Sequence, residues 1–380
     1  MLKKIIFIIP SVRHGGAELF LLRLCSSISE RYTIRVIVIG KREGLYKKFE
    51  KINLKMYYLN IEKKYLFLKA IIQIRNIFIH EKPDVIHSFL YISDVISGIA
   101  SLGLRIKVRV WSLRGTKLPN GTHLHKFLIQ GFAALLARLI PDTIIACSKQ
   151  ALDFHVKIGY PRNKIKVIWN FLPSWVYEVS STSIFLTKQN PRKFKIGMAA
   201  RYEEGKGHLA LIDCILKFLE NNSNVNLIVK FAGKNCGPGG KLSSDILENS
   251  YLQELIKKMR LSIEFSGLID DANLKNWYRD IDLYFMASSA LEAFPNSLAE
   301  AVAIGVPALA NPVGAASDFL PKTRISSNKS SVEMYLLLNR FYAESVSNRT
   351  KISQNYRKRI IQSCKNDLII SKYLESWEIN

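Results

Sequence analysis

The chain has 380 residues, 48% of them hydrophobic, and a formal charge of +24, enough length and apolar content for two domains with ordinary cores. Five scattered cysteines (Cys25, Cys147, Cys214, Cys236, Cys364) never form a C-x-x-C pair, which argues against a disulfide scaffold or a structural zinc and for a reducing cytoplasm. Residues 1–172 hold 29 Lys and Arg against 10 Asp and Glu, and residues 173–380 hold 26 against 21; with no zinc-finger, RRM or other nucleic-acid motif, that basic first half favours an anionic membrane face over nucleic acid.

The opening Met-Leu-Lys-Lys imitates a leader, but the apolar run Ile5 to Ile9 is short and no small-residue cleavage site follows, so a strand is expected. The longest apolar stretch, Leu128 to Cys147, is interrupted by Gln130, Arg138 and Asp142, which excludes a membrane span there. After the first strand, the turn Ser11 to Gly16 leads into a helical pattern from Ala17. A strand, a glycine-rich turn and a helix are the parts of a phosphate-approaching loop. It is neither G-x-G-x-x-G nor a P-loop, so dinucleotide oxidoreductase and NTPase readings are weak.

Thr33 to Ile39 reads as the second strand. A helix spans Lys63 to Ile79, with Leu68, Ile71, Ile72, Ile74 and Phe78 expected against the sheet and Lys63, Lys64, Lys69 and Arg75 facing outward. Joined to Lys47, Lys48, Lys51, Lys55, Arg105, Lys107 and Arg109, those cations suit a membrane-resting face, each worth about 1 kcal/mol near anionic lipid. Strands are expected at Asp84 to Phe89 and at Val108 to Leu113. His87, His123 and His125 have the chemistry of a base, although a lone histidine is more often a hydrogen-bonded spectator; no H-x-x-x-H on a helix supports zinc. Pro173 to Lys193, rich in Ser, Thr, Pro and Lys without a period, marks a domain boundary.

The second half opens with a strand from Phe194, then Arg201-Tyr-Glu-Glu-Gly-Lys206-Gly. Two cations across a glycine-containing turn clamp a diphosphate from two sides, although an Arg/Lys pair is more often a solvated surface. Further strands are expected at Val225 to Ala232, Ile263 to Phe265 and Tyr284 to Met286. A helix then runs from Ser297 to Ile304 and stops at Gly305. Amides at its start suit a phosphate, and Glu300, one turn in, suits a pair of ribose hydroxyls. Ser297-Leu-Ala-Glu300 also fits a capping box, and spacing alone leaves the two open.

E-A-F-P-N-S-L-A-E-A from Glu292, followed by G-V-P and N-P-V-G, resembles the E-x7-E signature of retaining glycosyltransferase family four. One position departs: Ala293 stands where the family usually has Gly, and a Cβ there disfavours a positive φ. Phe171 likewise stands where a Gly often follows Asn170. The resemblance implies an α/β GT-B fold, two Rossmann-like domains with parallel sheets facing a central cleft: residues 1–172 on the acceptor side, 173–370 holding the nucleotide sugar, and 371–380 crossing back to the first domain. It implies catalytic roles for Arg201, Lys206 and Glu292. Gly16, Leu268, Phe294, Pro295, Asn296, Ser297, Leu298 and Glu300 would bind the donor, and Gly15, His87 and Arg114 would lie on the acceptor side. It implies no cofactor and no metal, and the D-x-D of Asp280-Ile-Asp282 is not read as a metal site, because Asp282 stands just before a strand where the family has a structural Asp. The expected partners are a nucleotide sugar, a UDP-sugar first, a saccharide or lipid-linked acceptor and an anionic membrane surface, with the protein peripheral on the cytoplasmic side and surface-polysaccharide synthesis its context. A nucleotide-sugar epimerase of related fold, or a non-catalytic glycan- or lipid-binding partner at a membrane surface, are the alternatives.

Overall fold

The computed structural model describes residues 3–13, 15–61, 66–115, 124–178, 193–290 and 292–378. His123 and the side chain of His125 lie outside that set, as do Lys63, Lys64 and most of the expected linker. The chain forms two compact units, residues 1–171 with 366–380, and residues 172–365. The return to the first unit therefore comes at Asn366, where the sequence reading places it at 371.

In the first unit the order is β1 Lys4–Ile9, α1 Gly16–Ile28, β2 Thr33–Val38, α2 Tyr46–Glu50, β3 Lys55–Tyr58, α3 Phe67–Glu81 and β4 Val85–Phe89. There follow α4 Tyr91–Ala100, β5 Val108–Leu113, α5 Leu124–Leu136, β6 Thr143–Ala146, α6 Lys149–Lys157 and β7 Ile165–Val167. The second unit runs β8 Phe194–Ala199, α7 His208–Asn221, β9 Leu227–Ala232, α8 Lys241–Glu248, α9 Ser250–Lys258, β10 Ser262–Gly267 and α10 Asp271–Arg279. It continues through β11 Leu283–Met286, α11 Asn296–Ile304, β12 Ala308–Ala310, α12 Ala316–Phe319, α13 Ser331–Ala343 and α14 Val346–Ser363; α15, Asn366–Ser376, packs in the first unit.

Both sheets are parallel, with strand orders β3-β2-β1-β4-β5-β6-β7 and β10-β9-β8-β11-β12. Strands covered on both faces read as unbroken apolar runs, which is why Ile5 to Ile9 is wholly buried. In each sheet the strand order reverses once, beside β1 in the first and beside β8 in the second. A doubly wound sheet opens a crevice for ligands at the carboxyl ends of its strands at that point. One layer of the first unit packs α3 and α4 on Ile6 and Ile8; the opposite face packs α1 and α15 on Ile5, Phe7 and Ile9.

On α3 the sequence expectation is corrected. Ala70, Ile74, Phe78 and Glu81 form the buried stripe, whereas Leu68 and Ile72 are 69% and 54% exposed. The small Ala70 lets the helix approach the sheet closely, which fixes the rotation. Glu81, although buried, is ion-paired to Lys4 and Lys55 and bonded by Tyr57; these partners outweigh the burial penalty and hold its carboxyl well below the usual range.

A buried chain of hydrogen bonds runs from Gln130 Nε2 to Tyr91 Oη (2.8 Å), on to His155 Nε2 (2.7 Å), with His155 Nδ1 donating to Ala151 O (2.5 Å). Burial lowers the His155 pKa to about 4, the Ala151 bond opposing only part of the shift. In the unfolded chain the same imidazole titrates near 6.5. Unfolding then binds a proton between those values, so stability falls as pH drops from about 6.5 to about 4 and is flat above. This one group is expected to contribute of order 3 kcal/mol. Urea titrations across that window check it, and a His155→Gln protein should lose that part of the slope.

Candidate active site at the carboxyl ends of the second sheet

Three turns meet beyond β8, β11 and β12. The turn after β8 carries Arg201 to Gly207. Its Gly205 carbonyl accepts from the amides of Ser289 and Ala290 (2.8 Å each) and from Ser288 Oγ (3.0 Å), all on the loop after β11. Gly205 and Gly207 adopt φ of +81° and +84°, and a Cβ on Gly207 would lie 2.1 Å from Ala287 O. Only glycine fits there. The third turn is Asn311-Pro-Val-Gly314: the buried Asn311 Nδ2 donates to Ala287 O (2.8 Å), and Gly314, at φ +58°, runs against the carbonyl of Glu292.

This stacking brings Lys206 onto Glu292. Their ion pair spans 86 residues of sequence and is mostly buried, the side chains being 16% and 23% exposed. Arg201 stands at the outer edge, exposed and paired with Glu203 at 3.2 Å. The backbone passes Ala293 without entering the positive-φ region, so the alanine is accommodated without strain, and its side chain is buried. Phe294 is buried in edge contact with Phe319.

The helix α11 starts from Pro295 with no side-chain cap. Ser297 lies inside the helix, and its hydroxyl is bonded to Tyr284 Oη (2.7 Å). Glu300, 7% exposed, receives Tyr278 Oη at 3.1 Å, and the same phenol reaches Ser297 O. The capping-box alternative is thereby removed. Burial and the Glu300 charge hold the Tyr278 phenol protonated, so it remains a donor. The amides of Ser297 and Leu298 precede the first ladder bond, Ala299 N to Pro295 O (3.0 Å), and face the loop with the positive end of the helix dipole. At the far end Gly305 (φ +92°) closes a Schellman motif, with Val306 N donating to Ala301 O. Leu268, just after β10, is 67% exposed.

Asp280 is bridged to Lys195 (2.6 Å) and Lys230, and Asp282 accepts from the amide of Lys195 (2.8 Å). Both are bound to residues of their own sheet. The tyrosines 278 and 284, which position Glu300 and Ser297, escape sequence reasoning. Their only signal is an aromatic at the end of α10 and another in β11.

The first unit holds Gly15 at the N-terminal flank of α1 and Gly16 exposed as its first residue; a Cβ on Gly15 would strike the Glu18 carboxylate at 2.3 Å. His87 is a correction. It is fully buried: Nδ1 accepts from the Trp377 indole (3.2 Å), leaving Nε2 to donate to Ser112 Oγ (2.7 Å), and burial with the Arg114 charge keeps the ring neutral. It joins α15 to the sheet. Arg114 is likewise engaged, with Asn170 Oδ1 at 2.5 Å, the Tyr373 hydroxyl and the face of Phe20 at 3.7 Å. Phe171 lies tilted against that same Phe20 ring, the centroids 4.7 Å apart. Leu90, beyond β4, holds φ +72°, a strain of about 1–3 kcal/mol for a branched residue. Nothing in its sequence context announces it.

The Glycosyltransferase Family 4 model matches residues 14–173 and the Glycosyl transferases group 1 model matches residues 181–359. Protein CapJ of Staphylococcus aureus is 30% identical over 179 residues, 46% of this chain and 40% of CapJ. The lipopolysaccharide core biosynthesis mannosyltransferase LpsB of Rhizobium meliloti is 30% identical over 131 residues, 34% of this chain and 35% of LpsB. The chain thus spans well under half the length of these curated relatives in its matches. Among solved structures, Anabaena Alr3699/HepE in complex with UDP superimposes with a TM-score of 0.79 at 20% identity, covering 98% of this chain and 99% of that one; its UDP-glucose complex gives 0.76 at 21%, with the same coverage. The two parallel α/β units and the full-length superposition give the chain the GT-B fold, its first half similar to Glycosyltransferase Family 4 and its second half to Glycosyl transferases group 1.

Proposed function

We propose that the chain transfers a sugar, with retention and without a metal, from a nucleoside diphosphate donor to a saccharide or lipid-linked acceptor in surface-polysaccharide synthesis. The observation that carries this reading is the convergence of Lys206, Glu292 and the start of α11 at the switch point of the second sheet. The complexes of Alr3699/HepE with UDP and UDP-glucose support a uridine donor.

The residues divide the work by charge. Lys206 and Arg201 neutralise the diphosphate, with the amides of Ser297 and Leu298 aimed at its outer phosphate. Glu300, kept in place by Tyr278, accepts from the ribose hydroxyls, and Leu268 borders the base. Glu292 accepts from sugar hydroxyls. In the transfer step the anomeric C–O bond to the diphosphate breaks as the acceptor hydroxyl oxygen bonds to the same face of the sugar. The acceptor's proton passes to a leaving phosphate oxygen. Charge builds on the leaving group, and preorganised cations stabilise it most there.

A Glu300→Ala protein is expected to bind donor about ten- to a hundred-fold more weakly, the loss of a charge-assisted bond, with little change in turnover at saturation. Unchanged affinity in a folded variant would remove Glu300 from the donor site. The direct test of function is a screen of UDP-, GDP- and ADP-sugars with EDTA present. Stabilisation by one nucleotide and slow release of its diphosphate are expected. Isomerised donor without acceptor would instead mark an epimerase, and binding with no release a non-catalytic partner. The basic first unit supports a working position at an anionic membrane, peripheral on its cytoplasmic side. No helix among the described residues is long and apolar enough to cross it.

A further inference from the structure

The helix α5 is amphipathic in the wrong sense for a solvated helix. Gln130, Ala133, Ala134 and Ala137 are buried, while Leu128, Phe132, Leu135 and Leu139 are 63%, 46%, 59% and 80% exposed. The spacing of four and three residues puts Leu128, Phe132 and Leu135 on one face of the helix, and Leu139 follows in the turn beyond it. The same layer carries a second apolar stripe on α3, with Leu68, Ile72 and Ile79 exposed. Between these helices α4 is almost entirely buried and packs against both, and Arg75 Nη1 ties α3 to the α4 end by donating to Leu102 O (2.7 Å). Among the described residues of this unit, the large exposed apolar side chains all lie on α3, α5 and the turns after α4 and α5, except Leu368 on α15.

Charge gives the occupant. Residues 67–141 contain ten Lys and Arg and three Asp and Glu. The acids add little free negative charge: Glu81 is 5% exposed and paired with Lys4 and Lys55, Asp94 is fully buried on Ser88, and Asp84, 26% exposed, is bridged to Lys107. Lys69, Arg105, Lys107 and Arg138 remain exposed around the stripes. A second copy of the chain meeting this face by two-fold symmetry would set cations against cations. An anionic bilayer complements both features, apolar side chains at the acyl boundary and cations at the headgroups.

We propose that the outer face of the α3–α5 layer docks the first unit onto an anionic lipid bilayer, with the α5 stripe inserting below the headgroups. This rests on the reading that the enzyme works at a membrane, and it assigns the face and adds an apolar component to the electrostatic one.

The test uses the full chain in vesicle co-sedimentation. Wild type is expected to bind vesicles containing phosphatidylglycerol and to ignore pure phosphatidylcholine. It should keep part of that binding at about 0.5 M NaCl, where charge is screened within a few ångströms. A Leu128→Ser/Leu135→Ser/Leu139→Ser protein should bind at least about ten-fold more weakly and lose the salt-resistant part entirely. The exposed positions leave folding intact, which thermal melts verify, and Leu68→Ser/Ile72→Ser provides a second, independent variant. Undiminished binding by both variants, or equal binding of wild type to neutral vesicles, overturns the proposal. So does a wild-type dimer that the serine variant converts to monomer, which would make the stripe an interface between copies. UDP-induced stabilisation, read on the same samples, separates failure of this inference from failure of the transferase reading.

Discussion

A Lys206→Ala enzyme is expected to bind its nucleotide donor within a few-fold of wild type and to turn over about 10²–10³-fold more slowly. The ammonium is held against Glu292 in a mostly buried pocket, so its charge is fixed before substrate arrives. A fixed charge stabilises the leaving diphosphate more as negative charge accumulates there than it stabilises the bound donor, and only that difference appears in turnover. Alanine also leaves the Glu292 carboxylate without its cation, facing the position of the diphosphate, which adds repulsion at the same step. Lys206→Arg should not restore the rate, because a planar fork is a poor substitute for a point charge held against Glu292. Steady-state kinetics separate the cases. A large rise in donor KM at unchanged kcat would make Lys206 an ordinary binding contact, and full stability in a Lys206→Ala/Glu292→Gln double variant would show that the fold does not depend on the pair.

Much of this architecture is legible because parallel strands have an unmistakable composition. Ile5 to Ile9 and Leu283 to Met286 are unbroken apolar runs because helices cover both faces, and Gly305 with Pro307 stops α11 where the spacing places the stop. The site is legible in another way. Lys206 and Glu292 are distant in sequence, and only the resemblance of their surrounding motifs joins them; the structure supplies the reason, a Gly205 carbonyl that holds the two turns together. Rotations and partners stay hidden. The apolar arc of α3 covers well over half the helix, with Lys69, Gln73, Asn76 and His80 on the remainder, so the pattern cannot say that Ala70 rather than Leu68 faces the sheet. Ser297 and Glu300 have capping-box spacing, and Tyr278 and Tyr284, from elsewhere in the chain, decide against it. His87 follows a strand pattern toward the carboxyl end of β4, yet the returning Trp377 seals it in, a contact across 290 residues that no local signal carries.

Gly314→Ala is expected to abolish transfer while leaving a folded but weakened protein. A Cβ at this position would lie 1.9 Å from Glu292 O and 3.1 Å from Glu292 Cβ, and the residue holds φ +58°. Left-handed backbone costs an alanine about 1–2 kcal/mol, and the overlap forces a backbone shift costing about 1–3 kcal/mol more, so a total loss near 2–5 kcal/mol follows. The atom that must yield is the Glu292 carbonyl, because the turn of Gly314 is itself fixed by the Asn311 bond to Ala287. Displacing Glu292 by even an ångström parts it from Lys206 and tilts the start of α11, so donor affinity and turnover fall together. Gly239→Ala isolates the conformational cost, for Gly239 holds φ +68° with nothing within 4 Å of its would-be Cβ. That protein should lose only about 1–2 kcal/mol in urea and keep its activity. If Gly314→Ala behaved like Gly239→Ala, the close approach of the Asn311–Gly314 turn would have no part in placing Glu292, and that carboxylate would owe its position to the Gly205 turn alone.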